Sequence, residues 1–240
     1  MIEVIKEDKD YIAINKPYGV TVHRIKHLEE AKAKREEGDK EGEVYLTDWI
    51  VKNYPETKTV GDDPEFRPGI VHRLDKETSG AMLVARSQES FDYLKSLFQQ
   101  AEMHKTYLAL VFGEVKNDEG VIDKPIGLIS GTTKRTIHGG KMVKDAQTGY
   151  KVKKRYQEFT LLEVSPKTGR THQIRVHLAS IGHPIVGDKL YGGKKEKKTE
   201  LKLNRQFLHC HQLSFIDRKG KKVKIMADLP EDLTETLKLI

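Results

Sequence analysis

Five ionisable residues interrupt an otherwise apolar stretch between residues 69 and 85. The stretch reads GIVHRLDKETSGAMLVA, and the interrupting residues are His72, Arg73, Asp75, Lys76 and Glu77. The apolar runs on both sides are typical of buried strands, and the Thr-Ser-Gly at 78–80 favours a turn. We therefore expect Asp75 on a tight loop between two buried strands, at a sheet edge or in a cleft.

A carboxylate in such a place needs a partner, because burial without one favours the neutral acid. Arg73 points to the same side as Asp75 if the segment is extended, and a more distant arginine would serve equally well. Two interpretations remain open from these residues alone. Asp75 belongs either to an ion pair that only fixes the loop, or to an active site in which it acts as nucleophile or base.

Composition indicates an ordinary folded protein. The chain has 240 residues, of which 37% are hydrophobic and 33% are charged, which suits a substantial core and argues against disorder. The single cysteine, Cys210, excludes an internal disulfide and fits the reducing cytoplasm. The N-terminal residues lack the apolar core of a signal peptide, and no run approaches the ~20 apolar residues of a membrane helix. We expect a cytoplasmic protein with no membrane association.

The net charge of the chain bears on the kind of partner that it binds. The formal net charge is +7, which is typical of proteins that meet RNA or DNA. A lysine-rich surface that only maintains solubility would give the same value. Charge alone does not separate these two interpretations.

Pattern and turn signals predict more strands than helices. Strands are predicted at 11–15, 105–115, 205–216 and 222–229, with a strand or hairpin at 151–166. Helices are predicted after an N-cap at Thr47, from Ser87 to about Ala101, from near Thr171 to Gly182, and at the end of the chain. The strands do not alternate regularly with helices, which favours an α+β domain with a mixed or largely antiparallel sheet.

Helical spacing also predicts buried faces. Phe91, Leu94, Phe98 and Ala101 share one face of the second helix, and Ile174, Leu178 and Ile181 share one face of the third. The segments 26–44 and 192–198 are rich in charge and are predicted to be solvated, the first as a helix or loop and the second as a lysine-rich loop.

Several segments carry a family resemblance. They are NKPYGVTVH (15–23), FRPGIVHRLDKETSG (66–80), KTYLALVFG (105–113), GRTHQIRVHLASIGHPIVGDKLYG (169–192) and RQFLHCHQLSF (205–215). Together, and in this order, they resemble the RluA-type pseudouridine synthases along most of the chain. The signature H-R-L-D-x-x-T-S-G is present without a substitution.

The resemblance implies an enzyme that isomerises uridine to pseudouridine within ribosomal or transfer RNA. The uracil leaves C1′ of its ribose, turns, and rejoins through C5, without a cofactor or a metal. The implied fold is a mixed, mostly antiparallel central sheet with flanking helices and loops and a central cleft. We expect one catalytic domain over residues 1–240, without an N-terminal S4-type domain, acting as a monomer.

The same resemblance assigns roles to individual residues. Asp75 matches the essential aspartate, and Arg175 matches the arginine that pairs with it and keeps it charged. Tyr107 matches a tyrosine that stacks on the uracil and assists removal of the C5 proton, although its position alone favours packing within a strand. Substrate contacts are assigned to His72, Arg73, Arg170 and Leu178.

Other polar groups have weaker signals. Backbone N–H groups at Gly169 and Arg170 would hold a phosphate, or would only cap a helix. A basic RNA path is suggested by Arg135, Lys141, Lys144, Lys151, Lys153, Lys154 and Arg155. His172 and His177 are five residues apart, which is not the spacing of two ligands on one helix face, and His209 and His211 with Cys210 make too small a set for zinc. We expect no metal site.

Two competing functions remain. One is an RNA-binding or ribosome-assembly protein on the same fold, with its isomerase activity lost. The joint presence of Asp75, Tyr107 and Arg175 argues against that loss. The other is a glycosidase-like hydrolase, which needs a second carboxylate in the cleft. The sequence does not supply one.

Overall fold

An extended β-sheet forms the framework of the computed structural model, which describes residues 2–24, 45–201 and 203–240. The strands in chain order are β1 Glu3–Glu7, β2 Tyr11–Lys16, β3 Ser79–Ala85, β4 His104–Phe112, β5 Glu119–Asp123, β6 Ile126–Leu128, β7 Arg135–Thr136, β8 Lys141–Lys144, β9 Gln147–Arg155, β10 Phe159–Pro166, β11 Leu208–Ile216 and β12 Lys222–Met226. Strands β6, β7 and β8 form a small sheet of their own. The remaining strands belong to the main sheet.

The main sheet is mixed and mostly antiparallel, as predicted. Its order is β1-β2-β3-β11-β4-β10-β9-β5, and β12 pairs with the second half of β11. Among the described strands, only β3 and β11 run parallel. The predicted strand or hairpin at 151–166 is a hairpin, made by β9 and β10. The α+β class is therefore confirmed.

Five α-helices in the described part of the chain flank the sheets. They are α1 Leu46–Asn53, α2 Gln88–Gln99, α3 Gln173–Ser180, α4 Gly193–Lys198 and α5 Glu231–Lys238, with a 3-10 helix at Pro55–Thr59. Ser87 caps α2 as predicted, because its hydroxyl accepts from the N–H of Ser90 while the Ser90 hydroxyl accepts from the N–H of Ser87. The stop of α3 at Gly182 is also confirmed, since this glycine has a left-handed φ of 84° just after the helix.

Three local predictions are wrong because tertiary contacts override local signals. The N-cap of α1 is Tyr45 rather than Thr47, since the carbonyls of Thr21 and Val22 accept the first N–H groups of the helix. The segment 192–198 contains α4 rather than only a loop, because the Glu196 carboxylate accepts the N–H of Gly187. Residues 69–71 form no strand, and only Ile70 bridges to Val84.

The predicted core face of α2 also needs correction. Phe91 and Leu94 are buried, and so is Leu97. Phe98 is half-buried, and Ala101 is exposed beyond the end of the helix with a left-handed φ of 58°. The inner face of α2 therefore ends one turn earlier than the spacing predicts, which leaves Phe98 at the wall of a cleft.

Gly80 allows β3 and β11 to approach closely. Its φ is 121°, and a Cβ at this position would lie 2.3 Å from the carbonyl oxygen of Cys210. Only glycine fits such a position. The glycine that ends the Thr-Ser-Gly run is thus required by the close contact between β3 and β11.

Two further expectations concern the charged segment 26–44 and membrane-spanning helices. The charged segment 26–44 lies outside the described residues. No helix in the described ranges combines the length and apolar character needed to cross a bilayer.

Candidate active site

A cleft of about 680 Å³ lies over the sheet at Asp75. Pockets of this size commonly hold small ligands. Its walls come from the loop before β3, the end of α2, strand β4 and the start of α3. The lining includes His72, Arg73, Asp75, Phe98, Lys105, Tyr107, Arg170, His172, Ile174 and Arg175.

The loop that carries Asp75 is held from below by Lys16. The carbonyl of Asp75 accepts the N–H of Thr78, which closes a turn. The fully buried Lys16 ammonium donates to the carbonyls of Lys76, Pro17 and Val20. Burial lowers the pKa of Lys16 to about 7, while the charge of Asp75 opposes that shift. The first sequence motif, NKP, thus positions the loop of the second.

Arg175 joins two carboxylates. Its Nη1 donates to Oδ2 of Asp75 at 2.9 Å, as the sequence led us to expect. Its Nε and Nη2 donate to Oδ2 and Oδ1 of Asp188 at 2.7 and 3.0 Å. Burial acts against the charged guanidinium, but the hydrogen bonds and charge of Asp188 and Asp75 outweigh it and raise the pKa of Arg175. Arg175 therefore stays charged beside Asp75.

Asp188 anchors this arrangement from the protein interior. Its side chain is fully buried and also accepts the backbone N–H groups of Leu190 and Tyr191. Because Asp188 binds Nε and Nη2 of Arg175, only Nη1 is directed at Asp75. The position of the guanidinium is thus set before any substrate enters.

Replacing Asp188 by asparagine should lower the free energy of unfolding by about 3–5 kcal/mol, because Arg175 loses a buried ionic partner. Asparagine keeps an oxygen for the two N–H groups and so isolates the loss of charge. Asp118 is the control: its carboxylate is 84% exposed and pairs with Arg155 at 2.6 Å. Asp118→Asn should cost less than about 1 kcal/mol. Urea unfolding measures both, and equal losses would contradict the anchoring role.

Tyr107 lies on β4 at the floor of the cleft. It is buried, and it stands opposite Cys210 of β11 in the sheet register. Burial raises the pKa of Tyr107 well above its ordinary value, and the adjacent Cys210 and the charge of Asp75 act in the same direction. The hydroxyl therefore remains protonated near neutral pH.

Arg73 and Arg170 lie exposed at the rim of the cleft. Arg73 Nη2 donates to the Thr171 hydroxyl at 3.2 Å, and Arg170 Nε donates to the carbonyl of Asp145. The backbone N–H of Arg170 is already bonded to Oε1 of Gln173. Of the two interpretations of this turn, the structure favours helix capping over a phosphate held by that N–H.

Comparison with known proteins identifies the family. The family model described as RNA pseudouridylate synthase matches residues 10–180. This chain belongs to the RNA pseudouridine synthases. It is an isomerase that acts on RNA.

Curated relatives support this assignment. An uncharacterized RNA pseudouridine synthase of Bacillus subtilis is 35% identical over 98% of this chain and 72% of its own length. Proteins called ribosomal large subunit pseudouridine synthase D are 36% identical in Nitrosomonas europaea, over 100% of this chain and 65% of the relative, and 35% identical in Vibrio cholerae, over 98% and 69%. The synthase thus spans 65–72% of the length of these three relatives.

Two solved structures support the fold. Human RNA pseudouridylate synthase domain containing 1 matches with a TM-score of 0.74 and 24% identity, over 98% of this chain and 87% of that chain. The human domain containing 4 protein matches similarly, with a TM-score of 0.73 and 24% identity, over 98% and 92%. The synthase therefore has the pseudouridine synthase fold.

His72 is engaged by the protein rather than turned toward substrate. Its Nε2 accepts the N–H of Leu83 at 2.9 Å, and its ring stacks on Phe98 with centroids 4.5 Å apart. Burial, and then the charge of Lys105, lowers the pKa of His72 to about 3. His72 lines the cleft, but as a neutral ring that fixes the loop against β3.

Acid should destabilise the synthase through His72. Between the ordinary pKa of 6.5 and the folded value of about 3, the unfolded chain binds a proton that the folded protein does not. The free energy of unfolding should therefore fall with acid across this window, by roughly 1.4 kcal/mol per pH unit from this group. Urea unfolding at pH 6.5 and 4.5 measures it. His72→Gln should make the dependence shallower by this contribution, whereas the exposed His138→Gln should leave it unchanged; identical slopes in the two variants would refute the assignment.

Leu178 does not line the cleft. It is fully buried in the hydrophobic core, and Ile174, one turn earlier on α3, lines the cleft instead. The expected substrate contact of Leu178 is therefore replaced by a packing role beneath the site.

Three polar residues of the site were not recognised as such from the sequence. Asp188 and His172 lie within the last long motif. Their position in that motif was the one sequence feature that could have indicated a role in the site. Lys105 precedes Tyr107 by two residues on β4, and its alternation with Tyr107 was the signal that it would face the same side. Burial lowers the pKa of Lys105, whose ammonium lies 3.4 Å from the carbonyl of Thr168.

No group of three or more potential metal ligands occurs among the described residues. Among the described residues that line this cleft, Asp75 is the one carboxylate. Asp188 is fully buried and committed to Arg175 and two N–H groups. The geometry gives no support to a two-carboxylate hydrolase.

Proposed function

We propose that the synthase isomerises specific uridines of large-subunit ribosomal RNA, with Asp75 as the essential nucleophile or base. The ribosomal target is suggested by the names of the relatives from Nitrosomonas europaea and Vibrio cholerae. Transfer RNA is the other substrate considered. A non-catalytic RNA-binding role on the same fold is the alternative that activity measurements would reveal.

The arrangement of Asp75 carries the proposal. Its Oδ2 is fixed by Arg175, whereas its Oδ1 has no hydrogen-bond partner among the described residues. The side chain is 25% exposed and lines the cleft. A carboxylate that is paired with a cation, oriented and still accessible suits attack at C1′ of the ribose or removal of a proton beside it.

Tyr107 provides a surface for the uracil. Its ring at the cleft floor would stack on the detached base while the base turns. Because the hydroxyl stays protonated, it would act as a hydrogen-bond donor or as a relay for the C5 proton, rather than as a phenolate base. Arg175 would serve by holding Asp75 in place.

The rim of the cleft suits an RNA strand. Arg73 and Arg170 are exposed there and would contact phosphates on either side of a uridine that has left its stack. Beyond the rim, Lys141 and Lys144 on β8 are exposed, so an RNA path along the small sheet is compatible with the charge distribution. Arg155 and Lys153 contribute less, since they pair with Asp118 and Glu163.

One chain supplies every residue of the proposed site, so we propose that the monomer is the active form, with no cofactor and no metal. Sedimentation at the enzyme concentration of the assay would test the oligomeric state. Activity after dialysis against a chelator would test the requirement for metal.

Tritium release from RNA labelled at uridine C5 tests the proposed reaction. Large-subunit ribosomal RNA transcripts and pooled transfer RNA are incubated separately with the wild type and with Asp75→Ala. Release from ribosomal RNA by the wild type alone is the expected result. Release only from transfer RNA would overturn the substrate, and release by Asp75→Ala would overturn the mechanism. RNA binding without any release would favour the non-catalytic alternative.

A further inference from the structure

His172 stands next to Asp75 in an unusual backbone conformation. It precedes α3 with a left-handed φ of 57°, and it lines the cleft. Its Nδ1 lies 3.0 Å from the hydroxyl of Tyr191, and that hydroxyl accepts the backbone N–H of Arg135 at 2.8 Å. A non-glycine residue in this conformation is uncommon and costs free energy, so its side-chain position has to be stabilised by such contacts.

These contacts favour one of the two neutral tautomers of His172. Because the Tyr191 oxygen already accepts from Arg135, we assign its O–H as the donor to His172 Nδ1. The proton of the neutral imidazole is then on Nε2. Burial lowers the pKa of His172, with the charge of Asp75 opposing, which keeps the ring in this neutral form. The Nε2–H group is directed toward Asp75.

The separation between His172 and Asp75 allows one oxygen to form hydrogen bonds to both. Nε2 lies 3.9 Å from Oδ2 of Asp75, which is too long for a direct hydrogen bond. A substrate oxygen beside this pair could accept from Nε2–H and donate to the carboxylate. Only a hydroxyl group satisfies both requirements, because a carbonyl or phosphate oxygen has no proton to donate.

We propose that His172 and Asp75 together bind the ribose 2′-hydroxyl of the target uridine. Within an RNA strand the 3′ and 5′ oxygens are esterified, so the 2′-hydroxyl is the one free hydroxyl of the ribose, and uracil has none. The inference rests on the proposed function in one respect, namely that Asp75 acts at C1′. The 2′-hydroxyl is attached to the neighbouring carbon, so this contact would orient C1′ and C2′ toward the carboxylate. It would also distinguish RNA from DNA at the reacting nucleotide.

Two substitutions of His172 separate this role from a structural one. Asparagine tolerates left-handed backbone and places its amide where Nδ1 lies, so His172→Asn keeps the Tyr191 contact and removes the Nε2 donor. Glutamine is longer and places an N–H near the position of Nε2, so His172→Gln should restore the donor. Thermal unfolding of both variants shows whether each is folded.

The ligands are paired RNA stem-loops from whichever RNA releases tritium in the preceding experiment. Each carries pseudouridine at the target position, which prevents turnover, and either ribose or 2′-deoxyribose at that nucleotide. The wild type should bind the ribose form about 5- to 30-fold more tightly, as expected for loss of a hydroxyl that bonds to a carboxylate. His172→Asn should lose most of this preference, and His172→Gln should recover part of it.

The outcomes are distinguishable. A preference that is unchanged in a folded His172→Asn, or a wild type that binds both forms equally, would overturn the proposal. Weaker binding of both forms by the same factor would show a structural role only, and would also overturn it. If ribosomal RNA is not the substrate, the stem-loop is taken from transfer RNA, so an error in the proposed function changes the ligand and not the comparison.

Discussion

Asp75→Asn should lower turnover by at least about 10³-fold, because asparagine is neither a nucleophile nor a base at this position. The Arg175 contact can persist through the amide oxygen, so the variant should fold. Tritium release under single-turnover conditions measures the loss, and circular dichroism shows the fold. RNA affinity should change little, since phosphate contacts at the rim remain.

The matched control is Asp10→Asn. Asp10 also pairs with an arginine, Arg218 at 3.3 Å, and its side chain is 20% exposed, close to the 25% of Asp75. It lies at the turn between β1 and β2 rather than in the cleft. This variant should retain wild-type turnover. A folded Asp75→Asn with the same turnover as Asp10→Asn would exclude the mechanism proposed for Asp75.

Tyr107→Phe should reduce turnover by about 10²- to 10⁴-fold while RNA binding is maintained, the range expected when a proton-transfer group is lost. Phenylalanine preserves the ring and its stacking and removes only the hydroxyl. The Kd for RNA and the single-turnover rate are measured together. Thermal unfolding of Tyr107→Phe tests whether a change of fold explains the loss.

Tyr107→Leu completes the comparison, since it removes both the hydroxyl and the aromatic face. It should match Tyr107→Phe in turnover and bind RNA more weakly. Unchanged turnover in Tyr107→Phe would assign the hydroxyl to packing against Cys210 and leave only the ring in the site.

The partner of Asp75 shows how far sequence reasoning reached. From the residues alone, Asp75 required a cation, and Arg73 was the nearest candidate. The structure instead pairs it with Arg175, which is 100 positions away in the sequence. The family resemblance selected Arg175 correctly, but local spacing had no means of doing so, because the contact depends on how α3 packs over the sheet.

Other differences between the predictions and the structure also arise from tertiary packing. Helical spacing placed Phe98 in the core, whereas the structure places it at the cleft. The burial of Leu178 agrees with the spacing, and only the substrate contact assigned to it through the resemblance is wrong. Periodicity reports which residues share a helix face, and the neighbours of that face decide whether it meets protein or a cleft. The first six residues of α3 are all buried, so this helix has no solvent face from which the site could have been inferred.

The position of β11 has a consequence for synthesis of the protein. This strand lies between β3 and β4, so it joins the part of the sheet that ends at β3 to the part that begins at β4. Asp75, Tyr107 and Arg175 all precede it in the chain, and the family model match ends at residue 180. A ribosome therefore makes every proposed catalytic residue before it makes the strand that unites them. We therefore expect a nascent chain to complete its active site only after β11 has been made. A chain that ends before residue 208 would contain the proposed catalytic residues but lack the strand that joins β3 to β4.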